Sequence, residues 1–167
     1  MTKPKTPKIT YRTMTLKELF PAKWNPRKMG ALERAALKAS LVAFGFVGVI
    51  VWNKRTKSVV GGHQRYDILM EMHGPKYKVT VAVVNLSKDE ERALNIQLNS
   101  RASQGEFTED LDSLLDEIRH APKTEVLYED LRLEEERLRA DRGKKKKIVQ
   151  KLTKIVTCPH CEQTFKM

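Results

Sequence analysis

One stretch, Val59-Val60-Gly61-Gly62-His63-Gln64-Arg65, constrains this chain more than any other. Its β-branched pair ends a strand, two glycines force a turn, and a helical pattern begins at His63. Glycine at a strand–helix junction admits φ > 0 and lets a backbone or a ligand approach closely. The free N–H groups at the helix start, the helix dipole and Arg65 together make an anion pocket suited to phosphate. A plain tight connection uses the same residues, so the turn acquires meaning only beside the rest of the chain.

That remainder alternates strands with helices. Residues 9–12 read as a short strand and 16–19 as a helical turn; Pro21 and Pro26 bracket a rigid loop in which Asn25 is pushed towards an extended conformation. Apolar residues recur with helical period over 31–44, up to Gly45. Residues 47–52 read as a buried strand, 53–57 as a polar turn and 58–60 as the returning arm of a hairpin. The helix over 63–73 turns Tyr66, Leu69 and Met70 inward, and 77–86 is a second core strand. Ser87 and Glu90 form a capping box for a helix carrying Ala93, Leu94 and Leu98. Thr108 caps a helix with Leu111, Leu114, Leu115 and Ile118 on one face, and a last helix is expected over 124–140. The expected fold is α/β (α+β): a small mixed sheet with flanking helices, C-terminal helices and a short tail. Its expected divisions are an arm at 1–8, a body at 9–104, a helical extension at 105–141 and a tail at 142–167.

The net charge of +11 on 167 residues suggests a polyanion as partner, but its distribution narrows the suggestion. Residues 1–28 carry +7 and residues 141–167 carry +6, leaving −2 for the body between them. The tail run Lys144, Lys145, Lys146 and Lys147 suits sequence-nonspecific, salt-dependent contact with DNA phosphates, or a solvated linker. No apolar run reaches the roughly 18–20 residues of a membrane span, and MTKPKTPK has no secretory hydrophobic segment, so no membrane and a cytoplasmic location are expected. The two cysteines, Cys158 and Cys161, have the spacing with which two thiolates grip one Zn²⁺. A closed site needs four ligands, so a homodimer could complete it; otherwise the pair is idle.

Four landmarks in order resemble those of the ParB/sulfiredoxin superfamily, specifically its ParB-like N-terminal (ParB-like nuclease) domain. They are Asn25-Pro26-Arg27; then Ser40, Gly45 and Val49-Ile50-Val51; then Gly61-Gly62-His63-Gln64-Arg65; then Leu98-Asn99-Ser100-Arg101. The likeness spans residues 16–104, and residues 107–118 resemble the segment that follows in phage and mobile-element members. It implies a pocket for CTP or ATP, usually with Mg²⁺. In that pocket Gly61, Gly62 and Arg65 would hold phosphates with His63 and Gln64 also among the nucleotide-binding residues, Arg27 would reach in from its loop, and Asn99 would bond a phosphate or metal-bound water. Asn25 and Arg101 are further candidates. His63 and Arg65 are the candidates for any catalytic role, His63 being either a general base, a metal ligand or an ordinary hydrogen-bonding residue.

Departures from the family pattern narrow the chemistry further. Sulfiredoxins have a nucleophilic cysteine where this chain has His63, and no cysteine lies in the body, so sulfinic-acid reduction through a thiol is excluded. The carboxylate used by the kinase branch is absent from the turn, and no basic recognition helix follows residue 105. The expected function is therefore nucleotide binding by a DNA-associated, phage-type ParB-like protein, with slow NTP hydrolysis possible. Alternatives are a Mg²⁺-dependent nuclease or phosphotransferase of the same fold, and a non-catalytic module of a DNA methyltransferase system.

Overall fold

The computed structural model describes residues 9–100, 105, 107–108, 110–122, 124–136, 138–139, 155–157 and 164–166. The chain divides into two units, Met1–Gly105 and Glu106–Met167. The first unit holds β1 (Thr10–Thr15), a 3-10 turn (Leu16–Glu18), β2 (Phe20–Pro21), α1 (Ala31–Phe44), β3 (Ile50–Asn53), β4 (Ser58–Gly61), α2 (His63–His73), β5 (Lys78–Val84) and α3 (Lys88–Leu98). Its five strands form one mixed sheet in the order β1-β5-β3-β4-β2. The β1–β5 and β3–β4 pairs are antiparallel, and β3–β5 and β2–β4 are parallel. The small mixed sheet with flanking helices is thus as expected.

One face of the sheet meets α1 and α2 around Leu41, Ile50, Val59, Ile68, Leu69, Val79 and Val81, with Leu16 and Leu19 sealing one side. Burying each such side chain stabilises by roughly 1.5–3 kcal/mol. Exposed ion pairs from Arg34 and Lys38 to Glu71, at 2.8 and 2.7 Å, orient α1 on α2. Strand alternation turns Val60, Ala82 and Val84 to the other face, the side from which α3 reaches Asn53.

Several sequence expectations are corrected here. The strand expected over 47–52 begins only at Ile50, because Gly45 and Gly48 have φ of 73° and 142° and the Val47 N–H bonds back to the Gly45 carbonyl. Asn53 is not in a polar turn but fully buried at the end of β3. In α2 the fully buried position includes Ile68, beside the expected Leu69.

The largest surprise is α3, whose buried residues are Glu91 and Asn95, while Ala93 and Leu98 are exposed. Its apolar period misleads because the helix docks through polar groups. Strand β2 stops at Pro21, opposite Val59, so the next carbonyl of β4, Val60, lies beyond the ladder; Asn95 Nδ2 donates to it at 2.7 Å. Glu91 accepts from Asn53 Nδ2 at 2.5 Å, from Ser58 Oγ at 2.8 Å and from Thr56 Oγ1. A carboxylate so buried stays in place only when donors surround it.

The second unit contains α4 (Leu111–His120), α5 (Glu125–Asp130) and a hairpin of β6 (Ile155–Thr157) and β7 (Thr164–Lys166). The N-cap of α4 is Asp110 rather than Thr108, which instead hydrogen-bonds the Asp110 carboxylate at 3.0 Å. Leu115 is buried but Leu114 is 53% exposed, so the apolar face is narrower than its spacing implies. The single helix expected over 124–140 is interrupted at residues 131–133. Arg132 is left-handed with φ of 55°, and the Leu133 N–H bonds the Tyr128 carbonyl, a helix-ending closure. The arm at 1–8, Lys144–Lys147 and the cysteine pair Cys158 and Cys161 lie outside the described residues.

Asn53 has a measurable consequence. Its side chain donates to Leu86 O and Glu91 and accepts from the Leu86 and Arg55 N–H groups. Asn53→Ala strips these partners and leaves the buried Glu91 short of a donor. A loss of about 2–4 kcal/mol is expected in urea unfolding, against under about 0.5 kcal/mol for an exposed control such as Lys54→Ala.

Candidate functional site

The turn between β4 and α2 opens onto a cavity of about 400 Å³. Gly61 ends β4 against Leu98 of α3: a Cβ placed there would stand 2.7 Å from Leu98 Cδ1. Gly62, the N-cap of α2, has φ of 88°, and a Cβ there would sit 3.3 Å from Ile50 Cγ1. A side chain at Gly61 would have to push Leu98 aside, whereas Gly62 is closed by its left-handed backbone conformation.

The helix that follows begins without a side-chain cap and without an acidic residue in its first turn. In contrast, α3 opens with a full capping box and Asp89, Glu90 and Glu91. The first-turn residues Gly62, His63, Gln64 and Arg65 line the cavity, and a helix start so placed attracts an anion. Arg65 makes no ion pair among the described residues and lines the same cavity.

A ring of polar contacts crosses from the proline-bracketed loop to α3. Arg27 Nη1 donates to Asn99 Oδ1, Asn99 Nδ2 donates to the Asn95 carbonyl at 2.8 Å, and Asn95 Nδ2 reaches Asn25 Oδ1 at 3.4 Å. The Arg27 N–H returns to Asn25 Oδ1, also at 3.4 Å, closing the ring over Pro26. Residues 72 positions apart thus meet across the cavity mouth. Met29, Leu37, Val49, Val51 and Leu98 supply the apolar wall.

Of the sequence candidates, Asn25, Arg27, Gly61, Gly62, His63, Gln64, Arg65 and Asn99 all line this one cavity. Arg101 lies outside the described residues. Asp67, four residues after His63 on the same helix, is exposed and not part of the wall. Sequence reasoning missed Asn95, which holds both Asn25 and Val60 and whose Oδ1 is buried with no hydrogen-bond partner among the described residues. The available signal was its i, i+4 spacing to Asn99, which puts both amides on one side of α3.

His63 is only 7% exposed, and its Nε2 accepts the Ala22 N–H at 3.2 Å. That bond requires an unprotonated Nε2, so the ring is neutral with its proton on Nδ1. Burial is the chief cause holding its pKa below the ordinary value of 6.5; Asp67 and a backbone hydrogen bond with Val59 oppose the shift. The Nε2 lone pair is therefore committed to fixing the loop against α2, and a general base there would have to break this contact. No group of three or more His, Cys, Asp or Glu among the described residues could hold a metal ion, and the cavity wall contains no carboxylate.

No protein-family model matches the sequence, and no curated protein does. Among solved structures, it is similar to the C-terminally truncated chromosome-partitioning protein ParB from Caulobacter crescentus, complexed with CTP-gamma-S. The TM-score is 0.52 at 18% identity, over 66% of this chain and 63% of that one. Two structures of a pNOB8-like ParB N-domain match at TM-scores of 0.46 and 0.48 and 14% identity, over 97% and 99% of this chain and 58% and 56% of theirs. The chain thus spans under two thirds of the length of these relatives. Its fold is ParB-like. Among the described residues no helix is long and apolar enough to cross a membrane.

The depressed pKa of His63 has a sign that can be checked. The unfolded chain takes up this proton near pH 6.5 and the folded chain only at lower pH. Between those values the unfolded state binds more protons, so stability falls as pH drops below about 6.5 and levels off below the folded pKa. His63→Gln removes that contribution. Its melting temperature should fall less than that of the parent between about pH 7.5 and about pH 5; equal falls would place the pH dependence elsewhere.

Proposed function

We propose that this chain is a ParB-like protein that binds a nucleoside triphosphate, CTP or ATP, in the cavity at the start of α2 and associates with DNA. The observation that carries this is the uncapped helix start facing a cavity that also holds Arg65, Arg27 and Asn99 beside an apolar wall. Phosphates suit the N–H groups and the two guanidinium groups, while a nucleoside suits Met29, Leu37, Val49, Val51 and Leu98. The Caulobacter crescentus ParB of similar fold was solved with CTP-gamma-S, which supports CTP as the first ligand to test.

In this reading Gly61 and Gly62 let the polyphosphate approach the backbone, and Arg65 pairs with it. Arg27 exchanges its bond with Asn99 for a phosphate oxygen, which ties the proline-bracketed loop to the ligand. Mg²⁺ would arrive bound to the phosphates, because the wall offers amide oxygens but no carboxylate; the ion's part would be to offset phosphate charge. The same lack of carboxylates favours binding over a two-metal nuclease mechanism. Contact with DNA through Lys144–Lys147, zinc at Cys158 and Cys161, and a phage or mobile-element origin belong to the proposal on sequence grounds alone.

Titration calorimetry with each of the four ribonucleoside triphosphates and Mg²⁺ tests this reading. At least one should bind, and Arg65→Ala should weaken it by about ten- to hundredfold, the loss typical of a charge-assisted hydrogen bond. Absence of binding by all four, or full binding by Arg65→Ala, would contradict it.

A further inference from the structure

A second cavity, of about 490 Å³, lies between the loop after β2, the β3–β4 turn and the first turns of α3. It shares no lining residue with the first. Its rim carries two exposed aromatic side chains, Phe20 at 62% and Trp24 at 38% exposure, together with Lys23, Lys57, Lys88 and Arg92. Four cations therefore gather here, and three of them, Lys57, Lys88 and Arg92, come from the stretch 29–140 whose net charge is −2. Lys23, Lys57 and Lys88 make no ion pair among the described residues; Arg92 pairs with the exposed Asp89 at 3.5 Å. The one acid in the wall, Glu91, is buried and taken up by Asn53, Thr56 and Ser58.

Both sides of the cavity are held rigidly. Ala22 is buried and its N–H is anchored on His63, so Lys23 and Trp24 project from a fixed loop next to Phe20 of β2. The Glu91 bonds to Thr56 and Ser58 hold the turn that carries Lys57, which adopts a left-handed φ of 57°. That conformation costs a non-glycine residue about 1 kcal/mol, and here it places an ammonium group on the rim.

We propose that this cavity binds a nucleotide unit of single-stranded nucleic acid, its base stacked on Trp24 and the flanking phosphates on Lys57, Lys88 and Arg92. A flat apolar surface beside unpaired cations suits an unstacked base, which duplex DNA does not present. The volume suits one nucleotide. The site is separate from the triphosphate cavity and does not depend on that reading, so it is measured with no nucleotide triphosphate present.

The test follows fluorescence quenching of the full chain by a single-stranded oligothymidylate of about 12 nucleotides, alongside anisotropy of the labelled strand. Trp24→Phe, which retains a ring, should bind nearly as tightly as the parent, and Trp24→Ala about tenfold or more weakly. Lys57→Ala with Lys88→Ala should reduce the slope of log affinity against log salt by about 1.4, or 0.7 per phosphate contact. Circular dichroism melts of each variant separate these effects from unfolding. Unchanged binding by Trp24→Ala would overturn the proposal. So would equal Trp24-dependent binding of a duplex, complete quenching by thymidine monophosphate at the same nucleotide concentration, or displacement of the strand by polyglutamate at equal charge.

Discussion

Everything distinctive in this molecule follows from how β4 leaves the sheet. On the side away from β3, its partner β2 is two residues long and stops opposite Val59, so the last part of β4 has no strand on that edge. Asn95 takes the Val60 carbonyl, and Gly62 turns the chain through a left-handed conformation directly into α2. A longer β2 would satisfy the same carbonyl but fill the space from which the loop at Asn25 reaches α3. The unfinished sheet edge and the uncapped helix start are therefore one feature. Satisfying the backbone with an amide rather than a strand creates the cavity mouth.

The fold was largely legible in the sequence because its apolar spacing and glycines agree with one another over most of the body. Helices α1 and α2 begin and end where Gly45, Gly62 and Gly74 dictate, and the capping box at Ser87 and Glu90 starts α3 as expected. What spacing could not reveal is which side of α3 is buried. Periodicity assumes that buried means apolar, and α3 is held through Glu91 and Asn95 instead. The same limit applies to 47–49, where β-branched residues suggest a strand but two positive-φ glycines prevent pairing.

The candidate site was legible as a set of residues and not as a geometry. Eight positions from three separate segments meet at one cavity, yet the sequence could not distinguish a catalytic His63 from a structural one. Its partner is a backbone N–H 41 residues away, which leaves no trace in residue type. The charge distribution misled in a comparable way. A body at −2 suggested that basic character belongs to the ends, whereas folding brings Lys57, Lys88 and Arg92 of that body together with Lys23 of the basic N-terminal stretch around one cavity. Net charge averages over a surface; a ligand meets only one part of it.

The central claim is that phosphate is received by the backbone of the turn at Gly62 and the first turn of α2. Amide-resolved NMR of the isotopically labelled chain titrated with CTP and Mg²⁺ addresses it directly. The account predicts that the N–H resonances of Gly62, His63, Gln64 and Arg65 move most, with the side-chain signals of Arg27 and Asn99 following as their mutual bond is exchanged. Shifts confined to other parts of the chain, with these amides unmoved at saturating CTP, would contradict it.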